Sequence, residues 1–120
     1  MLKILIVDDN FHNLFLLQSI LMDKNISCKT ANSGKKAIEE LQKSNYNLIF
    51  MDIEMPNMNG IETTNYIRTK FNEPKNKIPI VAITAHGLDN EQIKNAEFDH
   101  VMSKTYNTEK LLEIVNKFTN

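Results

Sequence analysis

Four short aliphatic runs, each breaking off at a polar residue, constrain this chain more than any other feature. Lys3-Ile-Leu-Ile-Val7 stops at Asp8-Asp9, Asn47-Leu-Ile-Phe-Met51 at Asp52, Ile80-Val-Ala-Ile83 at Thr84, and Val101-Met-Ser103 at Lys104. Aliphatic runs without apolar–polar alternation suit strands covered on both faces, as in parallel sheets. A fifth, weaker strand is predicted over 27–31, Ser-Cys-Lys-Thr-Ala.

Segments with helical spacing lie between these runs. In 12–23, Leu14, Leu17, Leu21 and Met22 recur at three and four residues, with Ile20 nearby. Ser33 is placed to cap a helix over 34–43, where Ala37, Ile38 and Leu41 form one stripe. A helix over 59–71 carries Ile61, Thr64, Ile67 and Phe71, and the weakest, over 89–97, offers only Ile93, Ala96 and Phe98. The last, over 107–119, opens with Asn107 or Thr108 as cap and puts Leu111, Leu112, Val115 and Phe118 on one side. Residues 72–79 read as a loop, with Pro79 admitting the next strand. Strand then helix, five times over, predicts an α/β fold: right-handed crossovers and one parallel five-stranded sheet with helices on both faces.

With 120 residues the chain holds one ordinary domain, taken as 1–120 with no effector domain. A domain of this size buries about two-thirds of its unfolded surface, so it needs neither disulfide nor structural metal. Hydrophobic residues at 42% and charged ones at 24% are globular rather than disordered proportions. No unbroken aliphatic run exceeds four residues, so no membrane insertion is expected. A net charge of -1, with Arg68 the only arginine among 14 cationic residues, argues against direct binding of nucleic acid. One cysteine, Cys28, and the absence of a leader pattern point to the cytoplasm.

Ligands of open parallel sheets bind beyond the carboxyl ends of the strands. Separations of 43, 32 and 20 residues part Asp9 from Asp52, Asp52 from Thr84 and Thr84 from Lys104, each long enough for a crossover. Any one of these polar ends reads equally well as a cap or turn residue. Together they bring three acids, a hydroxyl and a lysine to one edge. Clustered carboxylates repel one another and raise their own pKa values, which a divalent cation relieves. Oxygen donors without nearby His or Cys favour Mg²⁺. The lysine and hydroxyl are then spare donors for an oxyanion, the equipment for phosphoryl transfer to a carboxylate.

At this point the chain resembles a response-regulator receiver domain of two-component systems over essentially its whole length. The resemblance rests on Val7-Asp8-Asp9-Asn10, on Met51-Asp52-Ile53-Glu54-Met55-Pro56-Asn57-Met58-Asn59-Gly60, on Ile83-Thr84-Ala85 and on Lys104. Asp-Asp-Asn followed by Asn13, with Thr84-Ala85-His86, is similar to receivers of hybrid histidine kinases. The resemblance implies a flavodoxin-like doubly wound (βα)5 fold with strand order 2-1-3-4-5. It makes Asp52 the phosphoacceptor, with Asp8, Asp9, Asp52 and the Glu54 backbone carbonyl around Mg²⁺, for which Mn²⁺ could substitute. Lys104 would neutralise the phosphoryl oxygens, and Thr84 would hydrogen-bond one of them as the switch. Ala85 leaves room for the group, Pro56 and Gly60 shape the loop after the third strand, and Glu54 and His86 would flank the group and tune its lifetime. The implied partners are a histidine kinase or histidine phosphotransfer protein and a downstream protein target. The implied activity is that of a switch that assists its own modification, not an enzyme, and phosphorylation would act on the 89–119 face.

Three departures bear on that switching. Val101 stands where the family commonly has an aromatic switch residue, Thr105 follows the lysine where proline is usual, and the Thr84–Lys104 interval is about two residues short. A trans bond before Thr105 and an altered Lys104 loop are expected, since a cis bond there would cost about 3–4 kcal/mol. Two other readings compete. One is a phosphorylation-independent interaction module on the same fold. The other is a haloacid-dehalogenase-type phosphatase, for which Glu54 mimics the second acid but no cap domain fits. A dinucleotide-binding unit lacks support, since Asp-Asp-Asn carries no glycine.

Overall fold

In this computed structural model, which describes residues 2–85 and 91–120, five strands and five helices alternate along the chain. Strands β1 (Lys3–Val7), β2 (Ser27–Ala31), β3 (Leu48–Asp52), β4 (Ile80–Thr84) and β5 (His100–Ser103) form one parallel sheet in the order β2-β1-β3-β4-β5. Helices α1 (Phe11–Asp23), α2 (Gly34–Lys43), α3 (Gly60–Lys70), α4 (Glu91–Asn95) and α5 (Thr108–Thr119) pack on its two faces. The doubly wound expectation and its strand order are observed.

Sequence character decides which strands are central. β3 and β4 are buried at every residue and β1 at all but Lys3. β2, with alternating exposure, and the short β5 take the two edges, where a solvated side suits their polar residues. The period of two along each strand then splits the core. Ile4, Ile6, Leu48, Phe50, Val81 and Ile83 meet Leu14, Leu17 and Leu21 of α1 and Leu111, Ile114 and Val115 of α5. Leu5, Val7, Ile49, Met51 and Ile80 point the other way, onto Ala37 and Leu41 of α2 and Ile67 of α3.

The helices begin where short polar side chains can cap them. Asn10, Ser33 and Asn107 accept the backbone N–H groups of Asn13, Lys36 and Lys110 at 3.0, 3.1 and 2.7 Å. Asn59 and Glu62 form a reciprocal capping box at the start of α3. Met22, expected in the core, is instead 61% exposed, because the helical repeat carries it round to the solvent side beside Phe11 and Phe15. On α5 it is Ile114, not Leu112, that completes the buried stripe. A single 3₁₀ turn, Lys75–Lys77, interrupts the predicted 72–79 loop. Among the described residues no helix is long and apolar enough to cross a membrane.

Arg68, near the end of α3, ties the far end of the sheet together. Its guanidinium donates to the carbonyls of Asn76, Ile78 and Glu97 at 3.0, 2.7 and 2.9 Å, and to Asp99 Oδ2 at 3.0 Å. The same Asp99 oxygen accepts the first N–H of β4, from Ile80, at 2.8 Å. Arg68→Met should therefore strand two partly buried carbonyls, those of Asn76 and Ile78, and release the more exposed Glu97 and Asp99 acceptors. The expected loss is about 2–4 kcal/mol of unfolding free energy in urea titrations, with Arg68→Lys recovering only part of it.

Candidate phosphoryl and metal site

Main-chain pairing sets the site at the carboxyl edge of the sheet. The ladders run on past the strands: Asp8 N–H donates to Ala31 O at 3.1 Å, Ile53 N–H to Ile83 O at 3.1 Å, and Lys104 N–H to Thr84 O at 3.0 Å. Strand parity then does the sorting. Asp8 continues the row of Ile4 and Ile6, and Asp52 that of Leu48 and Phe50, on the α1–α5 side. Lys104 reaches in from the next edge, and its Nζ lies 3.0 Å from Asp52 Oδ1. One oxygen from each of Asp8, Asp9 and Asp52 lies within 4.8 Å of the others.

Asp52 is 1% exposed, and among the described residues its carboxylate is met by the Lys104 ammonium as an ion pair at 3.0 Å, with no donor aligned on either oxygen. Asp8 is also buried, and its Oδ1 accepts the Asn10 N–H at 2.9 Å, while Asp9 stands exposed at the mouth. Burial pushes the Asp52 carboxyl up to about 7, with the Asp8 charge adding to the rise and Lys104 opposing it. Burial pulls the Lys104 ammonium down, yet the Asp52, Asp8 and Glu54 carboxylates outweigh it and the net direction is up. An all-oxygen acidic cluster whose deepest carboxylate lacks an aligned donor fits a hard divalent cation, and Mg²⁺ suits it.

The β3–α3 loop closes the other side. Asn57 takes the left-handed conformation, with φ of 68°, so Gly60 is not there for backbone freedom. It is there for space: a Cβ on Gly60 would fall 2.3 Å from the Asp52 carbonyl oxygen and 2.8 Å from Ile53 Cα. Gly60 N–H donates to Ile53 O at 2.9 Å, so α3 starts hard against the Asp52 backbone. Across the site, the half-buried Glu54 carboxylate accepts from the Thr84 hydroxyl at 3.1 Å and from the Ala85 N–H at 3.1 Å.

Asp8, Asp9, Asp52, Glu54, Thr84, Ala85 and Lys104 are thus neighbours. Val101 is not: it lies half-buried on β5 opposite Ala82, against Ile53 and Ile93. His86 falls outside the described residues. The Lys104–Thr105 bond is trans, and Thr105 N–H donates to Ser103 Oγ at 3.1 Å, a bond proline could not make. Asn13, noted in the sequence only as part of the motif, and Tyr106, not noted at all, line a cavity of about 40 Å³ with Asp8 and Lys104. Tyr106 sits two residues past the lysine, but nothing in its local pattern tells a site-lining ring from a core one. Burial and the charge of Asp8 raise the Tyr106 phenol.

A doubly wound sheet with an acidic, lysine-bearing pocket at its carboxyl edge defines a class that comparisons make specific. Residues 4–116 match the family of response regulator receiver domains. The sensor protein GacS of Pseudomonas syringae pv. syringae is 32% identical over 120 residues, which cover 98% of this chain and 13% of that protein. The response regulator TrrA of Thermotoga maritima, solved in complex with Mg²⁺–BeF, superposes with a TM-score of 0.86 at 31% identity, covering 98% of this chain and 99% of that one. A chain from the co-crystal of the Saccharomyces cerevisiae histidine phosphotransfer protein Ypd1 with the receiver domain of Ssk1 gives 0.85 at 28% identity, covering 98% and 88%. The chain belongs to the response regulator receiver domains of two-component and phosphorelay signalling. Such domains are phosphoacceptor switches rather than turnover enzymes, and they pair with histidine kinases or phosphotransfer proteins.

The buried charge has a measurable signature. Asp52 binds its proton more tightly folded than unfolded, where a carboxyl titrates near 4. The metal-free protein therefore loses stability as pH rises from about 4 to about 7, and the full penalty stands above 7. Asp52→Asn should stabilise the metal-free protein by about 1–3 kcal/mol at pH 8 and by almost nothing at pH 4, in urea melts with chelator. Gly60→Ala should cost about 1–3 kcal/mol and weaken Mg²⁺ binding, measured by titration calorimetry.

Proposed function

We propose that Asp52 is the phosphoacceptor of this receiver domain. The observation that carries the reading is the Lys104 ammonium 3.0 Å from a buried Asp52 oxygen, beside the Asp8 and Asp9 carboxylates. An Asp52 oxygen attacks the phosphorus of a phosphohistidine on a histidine kinase or phosphotransfer protein. The P–N bond breaks, and the imidazole leaves as the P–O bond forms. Lys104 and the Thr84 hydroxyl take up the charge on the phosphoryl oxygens. Asp8, Asp9, Asp52 and the Glu54 backbone carbonyl would hold the cation, Mg²⁺ or in its place Mn²⁺. When bound, that cation neutralises the acidic cluster and the incoming phosphoryl charge.

Phosphorylation adds about two negative charges at the end of β3. Thr84 and Lys104, joined by the β4–β5 ladder, carry that change to α4, β5 and α5, where a downstream protein reads it. With Val101 in place of an aromatic residue, the Thr84 movement is relayed through Ile53, Ala82 and Ile93. Residues 1–120 act as one cytoplasmic domain without direct contact to nucleic acid or membrane, a reading that the net charge of -1 and the free Cys28 support. The domain also assists loss of its own phosphoryl group.

Incubation with acetyl phosphate and Mg²⁺ should add one phosphoryl group by intact-mass spectrometry. Asp52→Asn should abolish it, and Lys104→Met should slow it by at least tenfold. A chain that stays unmodified with every donor would be an interaction module instead.

A further inference from the structure

We infer that Glu54 is an internal competitor for the phosphoryl group, a carboxylate that holds the oxyanion donors of β4 until phosphorylation expels it. The inference rests on the Asp52 reading and concerns regulation of that same site. One Glu54 oxygen accepts from Thr84 Oγ1 and the other from the Ala85 N–H, both at 3.1 Å. These donors stand at and just past the end of β4, whose Ile83 pairs with Asp52 of β3, so they share the carboxyl rim of the sheet with Asp52. A planar carboxylate spanning a hydroxyl and an adjacent main-chain N–H presents two oxygens as a phosphoryl group would. Thr84 is fully buried, so its hydroxyl has to find its partner within the site.

The electrostatics point the same way. Glu54 follows Asp52 by two residues and its carboxylate closes on the end of the neighbouring strand, so its charge belongs to the field around Asp52. A dianionic phosphoryl group arriving on Asp52 would meet that charge at close range. Both cannot occupy the Thr84 and Ala85 donors. Glu54 is only half-buried and its side chain can swing to solvent, whereas Thr84 cannot leave the core. Phosphorylation must therefore displace Glu54. The contact sets a threshold that keeps the unphosphorylated state from drifting into the switched one.

The test uses the intact chain with Mg²⁺ and beryllium fluoride, a tetrahedral anion of phosphoryl shape. Glu54→Ala and Glu54→Gln should bind beryllofluoride about three- to tenfold more tightly than wild type, the worth of a net hydrogen bond. Without beryllofluoride, the Ala85 amide should exchange with deuterium faster in Glu54→Ala, showing that the donor was held. Equal or weaker beryllofluoride binding in both variants overturns the competition, even if that amide loses protection. If wild type shows no Mg²⁺-dependent beryllofluoride binding that Asp52→Asn removes, the Asp52 reading fails and takes the competition with it.

Discussion

A carboxylate buried beside another carboxylate is the constraint around which this molecule is organised. Asp52 sits at the end of a strand whose every residue is buried, with Asp8 close by and one ammonium, that of Lys104, in reach. Burying an incompletely compensated charge costs several kcal/mol, and a fold keeps such a site only if the rest of the core can bear it. Here the two apolar layers, one under α1 and α5 and one under α2 and α3, supply that surplus. The unspent attraction of the site is what a cation and a phosphoryl group can use.

The sheet explains how residues 96 positions apart, Asp8 and Lys104, come to share a pocket. Parallel strands end on the same edge, so each aliphatic run delivers its terminal polar residue to one rim. Main-chain bonds that continue past the strands hold those residues in register, and the glycine at the start of α3 lets the helix close on the Asp52 backbone. The opposite rim is tied by Arg68 and Asp99, which join α3 to the entry of β4 and the approach to β5. One end of the sheet is thus clamped by hydrogen bonds, and the other is left with unmatched charge.

Much of this was legible beforehand because it follows from local pattern. Runs free of alternation announced the buried strands, Ser33 and Asn107 announced helix starts, and the polar ends Asp8, Asp52, Thr84 and Lys104 announced the rim. Met22 was misjudged because it directly follows Leu21, and one helical residue, about 100°, carries it off the Leu14–Leu17–Leu21 face. Gly60 was expected to shape the loop after β3, but that it does so by clearance, with no positive φ, depends on where Asp52 lies in space. Glu54 was expected to flank the phosphoryl group, and which donors its carboxylate meets there, Thr84 and Ala85, is decided by distances across the β3–β4 gap.

Periodicity and chemistry, both written along the chain, were sufficient for the α/β class, the number of strands, the caps at Ser33 and Asn107 and the kinds of atom at the rim. Those properties depend on a residue and its near neighbours, so one dimension contains them. The 3.0 Å approach of Lys104 to Asp52, the raised carboxyl, the exposed side of α1 and the grip of Glu54 on β4 arise between segments remote in sequence. They depend on packing distances of a few ångströms, and electrostatic and hydrogen-bond energies change steeply over such distances. Only the assembled sheet sets them.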